Sequence, residues 1–285
     1  MDGIGPPLVT PFDEDGNVDE SRLRELVSWI ESRGVDFLVP CGSNSEAELM
    51  TAEERARVTE LVAEESDCPV LAGTGNPGLR ETLDATAAAA DAGADAALVV
   101  TPFYYDHGQD TLADYYREVA DAAEIPVYLY SVPKYTGVAL APETVESLAT
   151  HPNVAGMKDS SGDLGSFVRT SRRTADADFD LLVGSGSILA QALDAGASGG
   201  VLALANIAPE AASSVFETHA DDPDAARDRA AELVELNYAV TGGYGVPGLK
   251  YAMRQRGAPA GYARSPHGTV GEEARERLDE LIAGL

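Results

Sequence analysis

The sequence predicts an α/β architecture, a (β/α)8 TIM barrel with additional C-terminal helices, and three observations predict it. Short apolar runs alternate with helical patterns almost to the end of the 285-residue chain. The runs start roughly 20 to 33 residues apart, the length of one strand plus one crossover helix. Eight such β-α units follow one another without a break. A doubly wound sheet is the rival, but nothing marks a split into halves.

The expected strands are Pro6–Pro11, Phe37–Cys41, Val70–Gly73, Ala97–Thr101, Val127–Tyr130, Val154–Lys158, Leu181–Gly184 and Gly200–Leu204. The segments between them carry helix signals. Thr51-Ala52-Glu53-Glu54 is a capping box, in which hydroxyl and carboxylate satisfy each other's backbone N–H groups. Leu83 to Ala92 is alanine-rich and stops at Gly93, a residue that accepts the left-handed turn after a helix. Leu112, Tyr115, Tyr116 and Val119 follow helical spacing, and Asp194-Ala195-Gly196 closes a further helix. After Pro209 the pattern is purely helical, with helices expected over Ala225–Tyr238, Pro247–Arg256 and Glu272–Ile282. Residues 1–220 are thus expected to form the barrel, and 221–285 a helical extension packed on it.

The charge count narrows the setting. Twenty basic residues stand against 48 acidic ones, for a net charge of −28, and arginine outnumbers lysine 17 to 3. A hydrophobic content of 44% excludes a disordered acidic chain. The remaining reading is a folded protein of a salt-rich cytoplasm, where ions screen the self-repulsion of an acidic surface. Such a surface disfavours nucleic acid and anionic membranes as partners. No apolar stretch reaches about 18 residues, and the N-terminus lacks a signal-peptide pattern. Cys41, Cys68 and the four scattered histidines have no metal-ligand spacing.

The three lysines are Lys134, Lys158 and Lys250. Lys158 ends the run Val154-Ala155-Gly156-Met157-Lys158, so its amine is expected at a strand's C-terminal end. An amine held in apolar surroundings loses its proton more readily and becomes a nucleophile toward ketones. A strand-end lysine that snorkels to water is the alternative. The other expected strand ends carry Ser43, Asn44 and Ser45, then Thr101 and Tyr104, then Tyr130, then Ser185 and Ser187. Glu46 and Asp159 are present but not paired as a glycosidase needs. This inventory supports imine chemistry: an iminium on lysine stabilises a neighbouring carbanion as an enamine, without a cofactor. A phenol such as Tyr130 can move the protons, and Gly42-Ser43-Asn44-Ser45 can offer hydroxyls and backbone N–H groups to a carboxylate. Tyr130 also reads as an ordinary half-buried strand aromatic, and the 42–45 segment as a plain turn.

Ordered motifs along nearly the whole chain carry a resemblance. They are Thr10-Pro11-Phe12 with Asp15-Gly16-Asn17-Val18, Gly42-Ser43-Asn44-Ser45-Glu46, Ala72-Gly73-Thr74-Gly75, Val100-Thr101-Pro102-Phe103-Tyr104-Tyr105, Leu129-Tyr130-Ser131-Val132-Pro133 and Gly156-Met157-Lys158-Asp159. With them the chain resembles the dihydrodipicolinate synthase / N-acetylneuraminate lyase family of pyruvate-dependent class I aldolases. The resemblance implies Lys158 as the Schiff-base lysine and Tyr130 as the proton shuttle. It implies Ser43 and Asn44 as ligands of the pyruvate carboxylate, and Gly184 and Val201 as backbone lining of the pyruvate pocket. Tyr104 matches a tyrosine that in some members reaches a neighbouring subunit's proton relay. The family is usually a tetramer built from dimers, and its covalent imine needs no cofactor.

Two departures direct the substrate reading. The synthase branch usually has an arginine two positions past the proline of Tyr-x-x-Pro, to hold the aldehyde's carboxylate; here that position is Tyr135. A phenol does not replace a bidentate guanidinium. Ser43-Asn44-Ser45 stands where the synthases usually carry Thr-Thr-Gly. The resemblance is therefore closer to the branch that cleaves 2-keto-3-deoxygluconate, or its 6-phosphate, to pyruvate and glyceraldehyde or its phosphate. Lys134 and His107 are the candidates for a distal phosphate. Condensation of pyruvate with aspartate semialdehyde is the alternative, and a non-catalytic sugar-acid-binding barrel the alternative outside enzymes. Gly73-Thr74-Gly75-Asn76-Pro77-Gly78 fits a dinucleotide pattern by letters but lies in the third repeat unit of a barrel. Gly196-Ala197-Ser198-Gly199-Gly200 fits a hydrolase elbow by letters but precedes its strand.

Overall fold

The computed structural model describes residues 1–285. Its seven strands are β1 (Gly3–Gly5), β2 (Leu71–Gly73), β3 (Ala96–Val100), β4 (Val127–Ser131), β5 (Val154–Asp159), β6 (Asp180–Val183) and β7 (Gly199–Val201). All pair in parallel, in the order β1-β7-β6-β5-β4-β3-β2. The segment 36–40 closes the circle between β1 and β2. On one side Asp36 and Val39 donate N–H bonds to the Ile4 and Pro6 carbonyls at 2.9 and 3.1 Å. On the other, Leu38 donates to Pro69, and Leu71 and Gly73 donate to Leu38 and Pro40, each at 2.9 Å. The result is the expected eight-stranded barrel.

Proline explains where the expected strands were misplaced. The first strand is Gly3–Gly5, not Pro6–Pro11, because Pro6, Pro7 and Pro11 have no N–H to give a ladder. Asn206 substitutes for that ladder: its amide donates to the Pro7 carbonyl at 3.0 Å and accepts the Val9 N–H at 3.3 Å. Within Phe37–Cys41 only Leu38 forms a ladder bridge, to Val70. The last strand ends at Val201, and the chain turns into a 3-10 turn over Ala203–Asn206.

Helices ring the barrel: α1 (Glu20–Glu31), α2 (Ala52–Glu65), α3 (Leu79–Asp91), α4 (Gln109–Ala122), the short α5 (Pro133–Thr136), α6 (Pro142–Leu148), α7 (Leu164–Thr174), α8 (Leu189–Asp194) and α9 (Pro209–Asp221). The Thr51 capping box is formed at α2, with the Thr51 N–H to Glu54 bond at 2.9 Å and the return bond at 3.2 Å. Then follow α10 (Pro223–Glu232), α11 (Val234–Tyr238), a π-turn over Ala239–Gly243, α12 (Gly245–Gln255) and α13 (Glu272–Ile282). The single helix expected over Ala225–Tyr238 is thus two. Leu249 and Met253 of α12 and Leu278 of α13 are buried in the same core as the barrel's outer face.

Strand parity sorts the side chains. Val127 and Leu129 of β4 face the helices, while Tyr128 and Tyr130 face the barrel interior with Phe37, Val39, Leu71, Leu98, Leu182 and Val201. At the floor, the Met1 amine and the Asp180 carboxylate meet at the Tyr128 hydroxyl. The upper end is open, and parity aims Lys158 into it.

Candidate active site

The site begins with register. Tyr130 on β4 lies opposite Lys158 on β5, and Lys158 lies opposite Leu182 on β6. Parity turns the phenol and the amine inward at the same height. The Lys158 Nζ stands 4.3 Å from the centre of the Tyr130 ring, and both residues are buried, at 3% and 5% exposure. The lysine does not snorkel to water.

The environment of Tyr130 acts on its acidity in two directions. Burial is the largest single influence and opposes ionisation. The Lys158 charge, followed by polar contact with Ser43, Ser160 and Lys158, outweighs it, so the phenol sits below its ordinary range. Ser160 belongs to the loop after β5. Asp159, on the outward side of that strand, accepts the Ser161 N–H at 2.7 Å and fixes the loop's turn; burial pushes its carboxyl up. Gly184 packs so closely on Ser160 that an added Cβ would lie 1.9 Å from the Ser160 Oγ.

The second wall is the loop after segment 36–40. Ser43–Ser45 makes one 3-10 turn, bracketed by Cys41 at φ 57° and Glu46 at φ 59°. Left-handed φ is unfavourable for residues with a Cβ and marks a loop that its surroundings hold in place. The Ser45 hydroxyl donates to the Leu8 carbonyl and accepts the Gly42 N–H at 3.0 Å.

The third wall comes from the C-terminal region. Asn237, Val240, Thr241, Gly242, Gly245 and Val246 complete a cavity of about 280 Å³ whose other lining includes Ser43, Asn44, Tyr130, Lys158, Ser160, Ser161, Gly184, Ser185 and Val201. A more apolar compartment of about 330 Å³ adjoins it, sharing Ser43, Tyr130, Val132, Tyr135 and Val246. None of the residues lining either compartment is an arginine.

The cavity therefore gathers Lys158, Tyr130, Ser43, Asn44, Gly184, Val201 and Lys134. Of the two expected phosphate ligands the structure places only Lys134 at the cavity. Lys134 lies at the rim with its amine already donating to the Thr241 carbonyl at 3.0 Å. His107 lies in the loop before α4 and lines neither compartment. Tyr104 also points away: it is 87% exposed at φ 79°, edge-on to Tyr105 at 5.0 Å. Sequence reasoning missed Ser160 and Ser161, which the strand-end rule applied to Lys158 reaches directly. It also missed Asn237 and Thr241, which no local signal marks. No group of His, Cys, Asp and Glu side chains is arranged to hold a metal ion. No helix is long and apolar enough to cross a membrane.

Comparison with known proteins gives the family. Residues 1–284 match the Dihydrodipicolinate synthetase family. A 4-hydroxy-tetrahydrodipicolinate synthase from Methanothrix thermoacetophila is 36% identical, over 99% of this chain and 96% of that protein. An uncharacterized DapA-like lyase from Halobacterium salinarum is 38% identical over 100% and 94%. Among solved structures, the dihydrodipicolinate synthase of Acinetobacter baumannii complexed with pyruvate superposes with a TM-score of 0.94 at 32% identity, covering 100% of this chain and 98% of that one. The YagE prophage protein of Escherichia coli K12, also in complex with pyruvate, gives a TM-score of 0.94 at 29% identity over 99% and 98%. The chain belongs to the dihydrodipicolinate synthetase family, whose members are pyruvate-dependent carbon–carbon lyases and synthases of the class I aldolase type.

Proposed function

We propose that this protein cleaves a 2-keto-3-deoxy sugar acid, 2-keto-3-deoxygluconate or its 6-phosphate, to pyruvate and glyceraldehyde or its phosphate. The observation that carries the reading is the lining of the cavity around Lys158: hydroxyls and amides from Ser43, Asn44, Ser160, Ser161, Ser185, Asn237 and Thr241, with no guanidinium. Such a lining suits a polyhydroxylated chain with one carboxylate. It offers no bidentate partner for a second carboxylate.

In this reading the Lys158 amine attacks the C2 ketone, and the carbinolamine loses water to leave an iminium. The Tyr130 phenolate takes the C4 hydroxyl proton as the C3–C4 bond breaks and the aldehyde leaves. The bonding electrons become the enamine, which is protonated at C3. Hydrolysis then frees pyruvate and the amine. Ser43 and Asn44 hold the carboxylate, and backbone at Gly184 and Val201 lines the keto-acid end. No cofactor is needed. Lys134 has one N–H on the Thr241 carbonyl and two more to offer a phosphate, so the 6-phosphate stays within this reading. We further propose a tetramer built from dimers, in which the outward Tyr104 serves a neighbouring subunit's site. The charge of −28 suits work in a salt-rich cytoplasm.

The names of the relatives favour a second reading, condensation of pyruvate with aspartate semialdehyde. The Methanothrix protein is named for that synthase activity, and so is a Haloarcula marismortui relative at 35% identity. One assay at high salt separates the two. Cleavage of the sugar acid faster than condensation supports the first reading; efficient condensation with little cleavage overturns it. Borohydride reduction with pyruvate should add mass to one peptide, that of Lys158. An unmodified protein would instead favour a binding barrel.

A further inference from the structure

We infer that Lys250 and Glu46 are positioning residues, whose buried ion pair holds the Gly42–Glu46 loop in the shape that presents Ser43 and Asn44 to the keto acid. The inference rests on the carboxylate role proposed above for that loop.

Lys250 sits on α12, more than 200 residues from Glu46 in the chain, yet the two side chains are in direct contact at 1% and 0% exposure. The amine also donates to the Thr10 carbonyl at 2.6 Å and the Tyr262 carbonyl at 2.7 Å, so all three N–H bonds are used. It stands 4.5 Å from the centre of the Phe12 ring. The second Glu46 oxygen accepts the Arg264 N–H at 2.7 Å. Both partners are thus fully satisfied, which is the condition for a buried pair to hold one geometry.

What the pair holds is a strained turn. Glu46 itself has φ 59°, a conformation that a residue with a Cβ keeps only when something fixes it. Ser43 and Asn44 lie between two anchors, the Ser45 hydroxyl on the Leu8 carbonyl and the Glu46 carboxylate on Lys250. Glu46 also borders the apolar compartment, but its carboxylate is turned into the Lys250 contact. Release of that anchor frees the backbone beside Ser43, while Lys158 and Tyr130 keep their places on β5 and β4.

A merely stabilising pair and a positioning pair differ in one respect. Replacing both partners by uncharged groups removes the cost of a lone buried charge, so thermal stability recovers. Positioning does not recover. The test compares the parent protein with Glu46→Gln, Lys250→Met and the double variant Lys250→Met/Glu46→Gln, using pyruvate as probe. Lys250→Met should melt at a lower temperature, and the double variant should regain most of that loss. The double variant should nevertheless need about tenfold more pyruvate for half-maximal borohydride trapping on Lys158, with the saturated rate within about twofold of the parent. Amide exchange across residues 42–47 should also be faster in it. Parent-like half-saturation and parent-like exchange in the double variant would overturn the inference. If the double variant does not fold, exchange in Glu46→Gln decides by the same rule. Absence of trapping in the parent itself would remove the proposed chemistry, and the exchange measurement would then decide this inference alone.

Discussion

Tyr130 and Lys158 face each other across neighbouring parallel strands, with the lysine nitrogen 4.3 Å from the centre of the tyrosine ring. Neither could reach the other from the opposite pleat of its strand, so a one-residue slip in either register would separate amine from phenol. The chemistry proposed for the cavity depends on this pair more than on any other contact.

Tyr130→Phe keeps the ring against the lysine and removes only the proton carrier. It should lower kcat for cleavage by about 10²- to 10⁴-fold, the range of one general acid–base group. Imine trapping on Lys158 should remain detectable, though slower. Steady-state kinetics and trapping on the same preparation check this; an unchanged kcat would exclude Tyr130 as the proton shuttle.

The lowered pKa of Tyr130 also makes a stability prediction. In the unfolded chain the phenol keeps its proton to about 10, while in the fold it gives the proton up earlier. Between those two values the unfolded state holds more protons, so this group's contribution rises with pH. It is fully present above the unfolded value and lost as pH falls through the folded one. The Tm difference between the parent and Tyr130→Phe should therefore widen as pH is raised toward 10. Parallel melting curves from neutral pH upward test it, and a pH-independent gap would contradict it.

Tyr135 occupies the rim of both compartments, where a guanidinium would meet a second carboxylate. Tyr135→Arg should raise condensation of pyruvate with aspartate semialdehyde relative to sugar-acid cleavage by about tenfold or more, since a charge-assisted bidentate bond contributes about 1.5–3 kcal/mol. The ratio of the two kcat/KM values is the measurement. An unmoved ratio would show that position 135 does not select the aldehyde.

Gly184 leaves room for the Ser160 hydroxyl that contacts Tyr130. The Cβ of Gly184→Ala would lie 1.9 Å from that oxygen and must displace it. Loss of about 10²-fold in kcat is expected, the cost of an ångström-scale misplacement, with a lowered Tm because the new Cβ also crowds the Ser160 Cβ and Cα at 2.8 and 3.0 Å. A Ser160→Ala variant should reproduce much of the loss, and parent-like kcat in both would remove Ser160 from the proton path.

The barrel was legible in the sequence because its cause is local. Most apolar runs followed by a helix do form a strand and its crossover, and the Thr51 capping box and the Gly93 stop lie where the residues predict them. The errors were local as well. Pro6, Pro7 and Pro40 carry strand-like apolar letters but no donor, so the N–H groups of Asn206, Val39 and Gly73 that their carbonyls accept decide where the ladder begins. Lys158 and Tyr130 were legible because a strand end fixes both position and direction, and Ser43 and Asn44 in position alone, as residues just past an expected strand end.

The sequence by itself therefore determined the repeating unit, the amine and the phenol. Only the tertiary structure decided what surrounds them. Asn237 reaches the cavity from α11 and Thr241 from the π-turn that follows it, and Lys250 reaches Glu46 from α12. Contacts across such separations follow from how the closed barrel stacks its last helices over the first loops, and no short stretch of residues encodes that. His107 was lost for the same reason: the direction of a loop side chain is set by its neighbours in space, not by its place in the chain.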